Sequence, residues 1–370
     1  MHNISFLKAC DALTKQRGYG EEELYDSGNL YHSIEYAQYD YLQHGQYAEA
    51  KKMLSRVDSV ILKLGGADKW EEEGKMKELI WIKQRMNARQ QIEPLGIGHM
   101  PNSSEWSSWI SSLDGRNGTL VSERVSDGWM NYASISELGM LMVRLLHCIK
   151  ICAKDRKNSC LKNTRVNWVL RQSEELNKNL ASRKSLFEYT KHMAQMLHQV
   201  MLGIRDLAEA VRPHGVKCFT EKNCRRNEKV LIRNIMTGPF QRATNIQKKL
   251  MIQSSATPTL LYMPSYEIFG FVLLAIQRYH EAKQMFEASL EERMGRTHSL
   301  LGLARAHSVL GNSKQATYFY KYLRTQLRQA DKDIFLGLDS LAVKEAESWL
   351  NTKKSKNEKL NWFWPNYMPF

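Results

Sequence analysis

Proline, glycine and cysteine are all scarce in this chain, and each scarcity excludes something. Eight Pro and 21 Gly in 370 residues are too few for the many tight turns of a strand-built sandwich or barrel. Six Cys at wide, irregular spacings make no disulfide framework, so reduced thiols in a cytoplasmic setting are expected. Long apolar runs are also missing. The longest, LGMLMVRLLHCIKIC from Leu138 to Cys152, is interrupted by Arg144, His147 and Lys150. It reads as an amphipathic helix, so no transmembrane segment is expected. The first residues, MHNISFLKACDALTKQ, lack the apolar centre and small-residue cleavage site of a secretory signal. Without one, the sequons at Asn3, Asn102 and Asn117 carry little weight.

Recognisable chemistry is equally thin. The chain has no G-x-x-x-x-G-K-[ST], no G-x-G-x-x-G and no G-x-S-x-G, so the phosphate cradles and the nucleophile elbow are absent. His280, in YHEAKQ, has no second histidine four residues on, and His192 and His198 are six apart on different sides of a helix. His214 and Cys218, in HGVKC, lie in a basic loop without an orienting partner. Cys148 and Cys152 sit one turn apart, with Cys160, Cys218, Cys224, His147 and His214 elsewhere. Zinc modules use two tight pairs, so buried structural thiols are the expectation. No catalytic residue, metal ligand or cofactor is assigned. The alternative to a binding protein is an enzyme or metal-dependent module with its site in the irregular middle of the chain.

Acidic charge is the last shortfall: 39 Asp+Glu face 53 Lys+Arg, a formal net charge of +14. Such a balance favours acidic partners. Much of the excess lies in KDRKNSCLKNTR (Lys154 to Arg165) and KKSKNEK (Lys353 to Lys359), which read as solvated loops or tails. No Gly-rich aromatic motif accompanies them, so nucleic-acid binding is disfavoured, with RNA binding through the basic surface kept as an alternative.

What is present is helical periodicity. The composition, 43% hydrophobic and 25% charged, suits an ordinary folded chain. Apolar residues recur at three-four spacing in YHSIEYAQYDYLQHG and again in QYAEAKKMLSRVDSVILKL, with Gly45 between them; this predicts a helical hairpin. Further helices are expected from Glu71 to Glu93, within SISELGMLMVRLLHCIKICAK and NWVLRQSEELNKNLA, and from Ser185 to Val211. Residues 94–130 read as loop, and nothing reads as a convincing strand.

The internal register is sharper. Phe269, Gly270, Gln277, Tyr279, Ala282 and Phe286 become, 34 residues on, Leu303, Ala304, Gly311, Ser313, Ala316 and Tyr320. Large matches large, and small matches small at 270/304 and 282/316. Small residues let the two helices of a hairpin approach, and Phe286 and Tyr320 fill the gap to the next pair. Gly311 suits a turn with positive φ, where Gln277 is a weaker choice. The N-terminal hairpin fits the same frame through Tyr41, Gly45, Tyr47, Ala50 and Leu54. It departs at Gln38, where a small residue is usual.

With that period, the chain resembles the tetratricopeptide repeat family, over Ile34 to Leu62, Tyr266 to Arg293 and Leu300 to Gln326. The run from PSYEIFGFVLLAIQRYHEAKQMFEASL through GLARAHSVLGN is also similar to the end of a group of uncharacterised bacterial-type repeat proteins. Those relatives have more helical repeats before the first hairpin, so a truncated N-terminus is expected. The resemblance implies an all-α fold: an α-solenoid of antiparallel helical hairpins in a right-handed superhelix. Residues 1–348 form the solenoid, with repeat-like units at 30–64 and 264–330 and divergent hairpins at 65–253. Residues 349–370 form a basic and aromatic tail.

It further implies a non-enzymatic scaffold or adaptor that binds a protein or peptide partner in a concave groove. The groove positions are His32, Glu35, Tyr39, Glu267, Phe271, His298 and Arg305, with Leu42, Leu274, Leu301 and Ser308 beside them. Relatives that bind chaperone tails clamp a terminal carboxylate with Lys, Asn and Arg. Glu35, Tyr39, Glu267 and Phe271 stand at those positions here, so that class of tail is not supported. The last ten residues, NWFWPNYMPF, hold five aromatics, and such apolar density is expected to fold back as a cap. A chain ending at Asn351 is therefore expected to melt at a lower temperature than the full chain in a thermal denaturation scan; an unchanged midpoint would make the tail a docking segment.

Overall fold

The computed structural model describes residues 29–63, 164–182, 188–211, 237–253, 264–331 and 338–352, with scattered helical positions within 7–16, 79–90, 138–145 and 234–235. Among these, all regular structure is α-helical and no strand occurs. The continuous helices are α1 (Asn29–Gln43), α2 (Tyr47–Lys63), α3 (Thr164–Ser182), α4 (Glu188–Val211), α5 (Pro239–Gln253), α6 (Ser265–Ala275), α7 (Tyr279–Glu292), α8 (Thr297–Val309), α9 (Ser313–Gln326) and α10 (Leu338–Thr352). The expected loop at 94–130 and all six cysteines lie outside the described residues, as does His214.

Apolar periodicity explains each helix. In α4, Met193, Leu197, Val200, Met201, Ile204 and Leu207 are all buried. They follow the three-four spacing that puts one stripe against the core. Pro239 opens α5, where its missing N–H would be unpaired anyway, and Arg242 donates to the Gly238 carbonyl at 3.1 Å. Each helix from α3 to α10 packs on the next, and α1 packs on α2. One large apolar cluster runs from Leu138 through α3–α7 into α8. A second, built on α8, α9 and α10, includes Leu301, Tyr320, Leu323 and Trp349. The helix α10 runs on to Thr352, past the expected boundary at 349, because Trp349 is buried and its ring lies 5.5 Å from that of Tyr320.

Three hairpins turn in the same way. Gly45, Gln277 and Gly311 have φ of 68°, 61° and 77°. Behind each, the next residue's N–H reaches back five positions. Gln46 donates to the Tyr41 carbonyl at 2.9 Å, Arg278 to Leu273 at 2.8 Å and Asn312 to His307 at 2.9 Å. This is the Schellman closure of a helix C-terminus, and it needs one residue in the left-handed region. The positions 277 and 311 stand one 34-residue period apart. Gln277 therefore bears a side chain where its equivalent is glycine, at a cost of roughly 1–2 kcal/mol.

Helix spacing in the repeats depends on Phe286. Its ring is fully buried between two glycines. A Cβ at Gly270 on α6 would lie 2.7 Å from that ring, and one at Gly302 on α8 would lie 2.3 Å from it. The ring thus touches the helix of its own hairpin and the first helix of the next. Tyr320 takes the equivalent place on α9, where Trp349 and Ala346 of α10 join it in one cluster. Ala282 and Ala316 have no exposed surface, as close helix approach requires.

The N-terminal hairpin docks on the C-terminal repeats. Thr297 N–H donates to Gln43 Oε1 at 3.1 Å, and Thr297 Oγ1 donates to the Gln43 carbonyl. Gln326 Nε2 reaches the same carbonyl at 2.8 Å. Asp331 accepts from the Ala48 N–H at 2.7 Å, while its own N–H donates to the Gly45 carbonyl at 2.9 Å. Its carboxylate thereby serves an orphan donor at the N-terminus of α2, where negative charge is favoured.

These contacts separate two kinds of glycine. Gly302→Ala is expected to lower stability by about 3 kcal/mol, since the Phe286 ring has no room to yield. Gly311→Ala meets nothing within 4 Å and is expected to cost about 1 kcal/mol, from backbone strain alone. Gln277→Gly is expected to stabilise by up to about 1 kcal/mol. Denaturant midpoints of the three variants check the order.

Candidate binding surface

The residues expected to line a concave groove are largely inside the fold. Glu35, Glu267, Phe271, His298 and Arg305 are buried; His32 and Tyr39 are half-buried. Leu42, Leu274 and Leu301 are buried too. An open groove built from these side chains is thus not what the helices form. The physical reason is the polar and apolar partners that reach them from distant parts of the chain.

Glu35 on α1 is the most enclosed. It accepts from Arg85 Nε at 2.9 Å and Nη2 at 2.8 Å, a bidentate pair, and from Arg89 at 3.1 Å. Burial alone would raise its carboxyl, but the two guanidiniums more than offset that and hold it at about 2. Gln38, the residue out of place in the repeat pattern, donates to the Met86 carbonyl at 2.9 Å and accepts from Arg89 at 3.3 Å. Its amide serves a third helical stretch, to which the buried Leu79, Ile82 and Met86 also belong.

Glu267 on α6 repeats the arrangement with Arg296, which leads into α8. The guanidinium donates to both carboxylate oxygens, at 2.9 and 2.8 Å, and to Tyr39 Oη at 3.3 Å. Ser299 adds a bond at 2.6 Å and in turn meets Ser289 at 2.8 Å. Burial pushes the Glu267 carboxyl up, and Arg296 pulls it below its usual value. Arg89 lies over the Tyr39 ring, 5.9 Å from its centre. Tyr39 therefore joins the Glu35 cluster to the Glu267 cluster. A third pair closes the far end: Arg305 on α8 donates to Glu345 on α10 at 2.6–3.1 Å, and Tyr320 donates to Glu345 at 2.7 Å. Phe271 meets Phe286 edge-on at 4.9 Å, and His32 stacks on Tyr36 at 6.3 Å.

Arg85, Arg89, Arg296 and Glu345 are missing from the sequence-level list of important residues. Their ion-pair partners stand 29 to 54 positions away, and no local spacing announces such pairs. Ser173 and His198 are a further buried pair, with Oγ and Nδ1 2.9 Å apart between α3 and α4. Burial lowers the His198 imidazole. No carboxylate hydrogen-bonds the ring among the described contacts, so the pair ties two helices together. Among the described residues, no group of three or more His, Cys, Asp or Glu side chains is placed to hold a metal ion. No helix among them is long and apolar enough to cross a membrane.

The opposite situation occurs at Glu292, at the end of α7. One oxygen accepts from Gln247 Nε2 on α5 at 2.5 Å, while the other is buried with no hydrogen-bond partner. Gln247 also accepts from the Ser265 N–H and Oγ, both at 2.6 Å. Burial raises the Glu292 carboxyl to about 7, against the pull of Gln247, Arg296 and Arg293. Tyr266 beside it is pushed to about 12, by burial first and then by Glu292.

No family model, no curated protein and no solved structure matches the chain.

The Glu292 carboxyl keeps its proton up to about pH 7 when folded and releases it near 4.5 when unfolded. Its contribution to stability is therefore full below pH 4.5 and is lost as pH rises towards 7. Glu35 behaves oppositely: its contribution is present above 4.5 and is lost as pH falls towards 2. Glu292→Gln keeps the neutral form at every pH. The variant is expected to match the parent chain at pH 4.5 and to exceed it by about 2 kcal/mol at pH 8. Denaturant titrations of both chains at the two pH values check this.

Proposed function

We propose that the chain is a tetratricopeptide-like α-solenoid that serves as a non-enzymatic scaffold or adaptor for another protein, in the cytoplasm. The observation that carries this reading is the threefold recurrence of one hairpin. Gly45, Gln277 and Gly311 close three helix pairs with the same backbone bonds, and helices α3 to α10 stack in chain order. A fold of this kind offers extended helical faces, and binding is what such faces do. The self-docked N-terminal hairpin supports one refinement. It fills the side on which Glu267, Arg296 and Thr297 lie, so a partner uses a face that these contacts leave exposed.

Affinity capture with the full chain, run with and without nuclease, tests the reading. A protein retained at constant ratio in both arms is the expected result. Retention abolished by nuclease would overturn it in favour of RNA.

A further inference from the structure

Glu35, Glu267 and Glu345 are buried, and each accepts hydrogen bonds from an arginine. Glu292, the last residue of α7, is answered differently. Its Oε2 accepts from the Gln247 amide, and its Oε1 is buried with no hydrogen-bond partner. Gln247 has nothing more to give. Its own oxygen is held by the Ser265 N–H and Oγ, both at 2.6 Å, which fixes the way its amide faces. A carboxylate at this corner therefore needs a further donor, whereas the neutral acid leaves only a hydroxyl unmatched.

The cations that act on this carboxyl are Arg293 and Arg296, in the turn between α7 and α8. Both also face α1. Arg296 holds Glu267 with Nε and Nη2, and its Nη1 donates to Tyr39 Oη at 3.3 Å. Arg293 lies close enough to Tyr36 to act on its phenol, which burial and then Glu35 push up. Tyr36 and Tyr39 are three residues apart, on one face of α1. The other neighbours offer the corner no cation. From α5 comes the uncharged Gln247. From α6 come Glu267, reached through Arg296, and Tyr266, whose phenol is pushed to about 12 by burial and then by Glu292. From α8, His298 acts on Glu267, and from α7 itself Glu291 acts on Tyr266.

The hairpin beyond those tyrosines is lightly held. Among the described residues, the apolar clusters of α1 and α2 are separate from those of α3–α10. The seam between them is made largely of hydrogen bonds, and polar seams of that kind permit relative motion.

We propose that the Glu292 proton is a latch on the N-terminal hairpin: its loss draws Arg293 and Arg296 towards Glu292 and away from Tyr36 and Tyr39, and α1–α2 lifts from the repeats. With the hairpin docked, burial holds the carboxyl at about 7, against 4.5 for a solvated one. Opening is therefore rarest below pH 4.5 and increases as pH rises towards 7. Release uncovers the side of the repeats on which Arg296 and Thr297 lie.

Hydrogen exchange of the full chain at pH 5 and pH 8, corrected for intrinsic rates, tests the latch. Three amides bond across the seam: Ala48 to Asp331, Thr297 to Gln43 and Asp331 to Gly45. The Ala282 and Ala316 amides, bonded to Arg278 and Asn312 within their own hairpins, serve as controls. Between the two pH values the seam amides are expected to lose about 10-fold more protection than the controls. In Glu292→Gln, which stays neutral, that difference is expected to shrink below about 2-fold. Tyr39→Phe removes the acceptor of Arg296 and is expected to leave less than about 3-fold. An equal loss at seam and control amides would overturn the proposal, reducing Glu292 to an effect on overall stability. A full difference persisting in Glu292→Gln assigns the response to another group, and one persisting in Tyr39→Phe removes the route through Arg296; either result sinks the latch.

Discussion

Arg296 carries its charge into the interior, and much of the molecule is arranged around that fact. The side chain is 2% exposed, at a junction where α1, α6 and α8 converge. A lone guanidinium there would cost several kcal/mol. Glu267 answers it with both oxygens, Tyr39 with its hydroxyl, and Ser299 and Ser289 extend the network. Fulfilling those bonds fixes where α1 must lie relative to α6 and α8. Buried ion pairs contribute little net stability, but removing one partner costs roughly 3–5 kcal/mol. Their effect is to admit one arrangement of helices and to penalise neighbouring ones.

Packing sets the distances that the charges then lock. Phe286 between Gly270 and Gly302 fixes how close α6, α7 and α8 stand. Once that distance is set, Glu267 and Arg296 face each other across it. At the next step Tyr320 does both tasks, packing in the apolar cluster of α10 and donating to Glu345. Glu292 shows the converse. A carboxyl that ends a helix in a dry corner without a cation hydrogen-bonded to it is pushed up to about 7, and its ionisation at higher pH costs the fold stability.

The hairpins were legible in the sequence because their causes are local. A turn with positive φ, a small residue on each packing face and a large one between layers recur at fixed spacing. The helices α1–α2 and α6–α9 lie where that pattern puts them. Gln38 looked like an imperfection, and its amide turns out to hold Met86 and Arg89. The burial of the expected groove positions was not legible. Glu35, Glu267 and Arg305 occupy helix positions that face outward in an isolated repeat, and sequence spacing cannot reveal that partners 29 to 54 residues distant close over them.

The Asp331 bonds to Gly45 and Ala48 span 286 and 283 positions, and they bear on how the chain comes apart. In an array whose units touch only their neighbours, each end frays by itself and stability grows by simple addition. Here the first hairpin and the last repeats hold each other, so neither is a free end. Loosening α9 releases α2, and loosening α1 uncovers Arg296. The cost falls on folding, which must bring the two ends of this contact together before either hairpin gains from it. The return is cooperativity: the molecule opens as a clasp does, at one place or not at all.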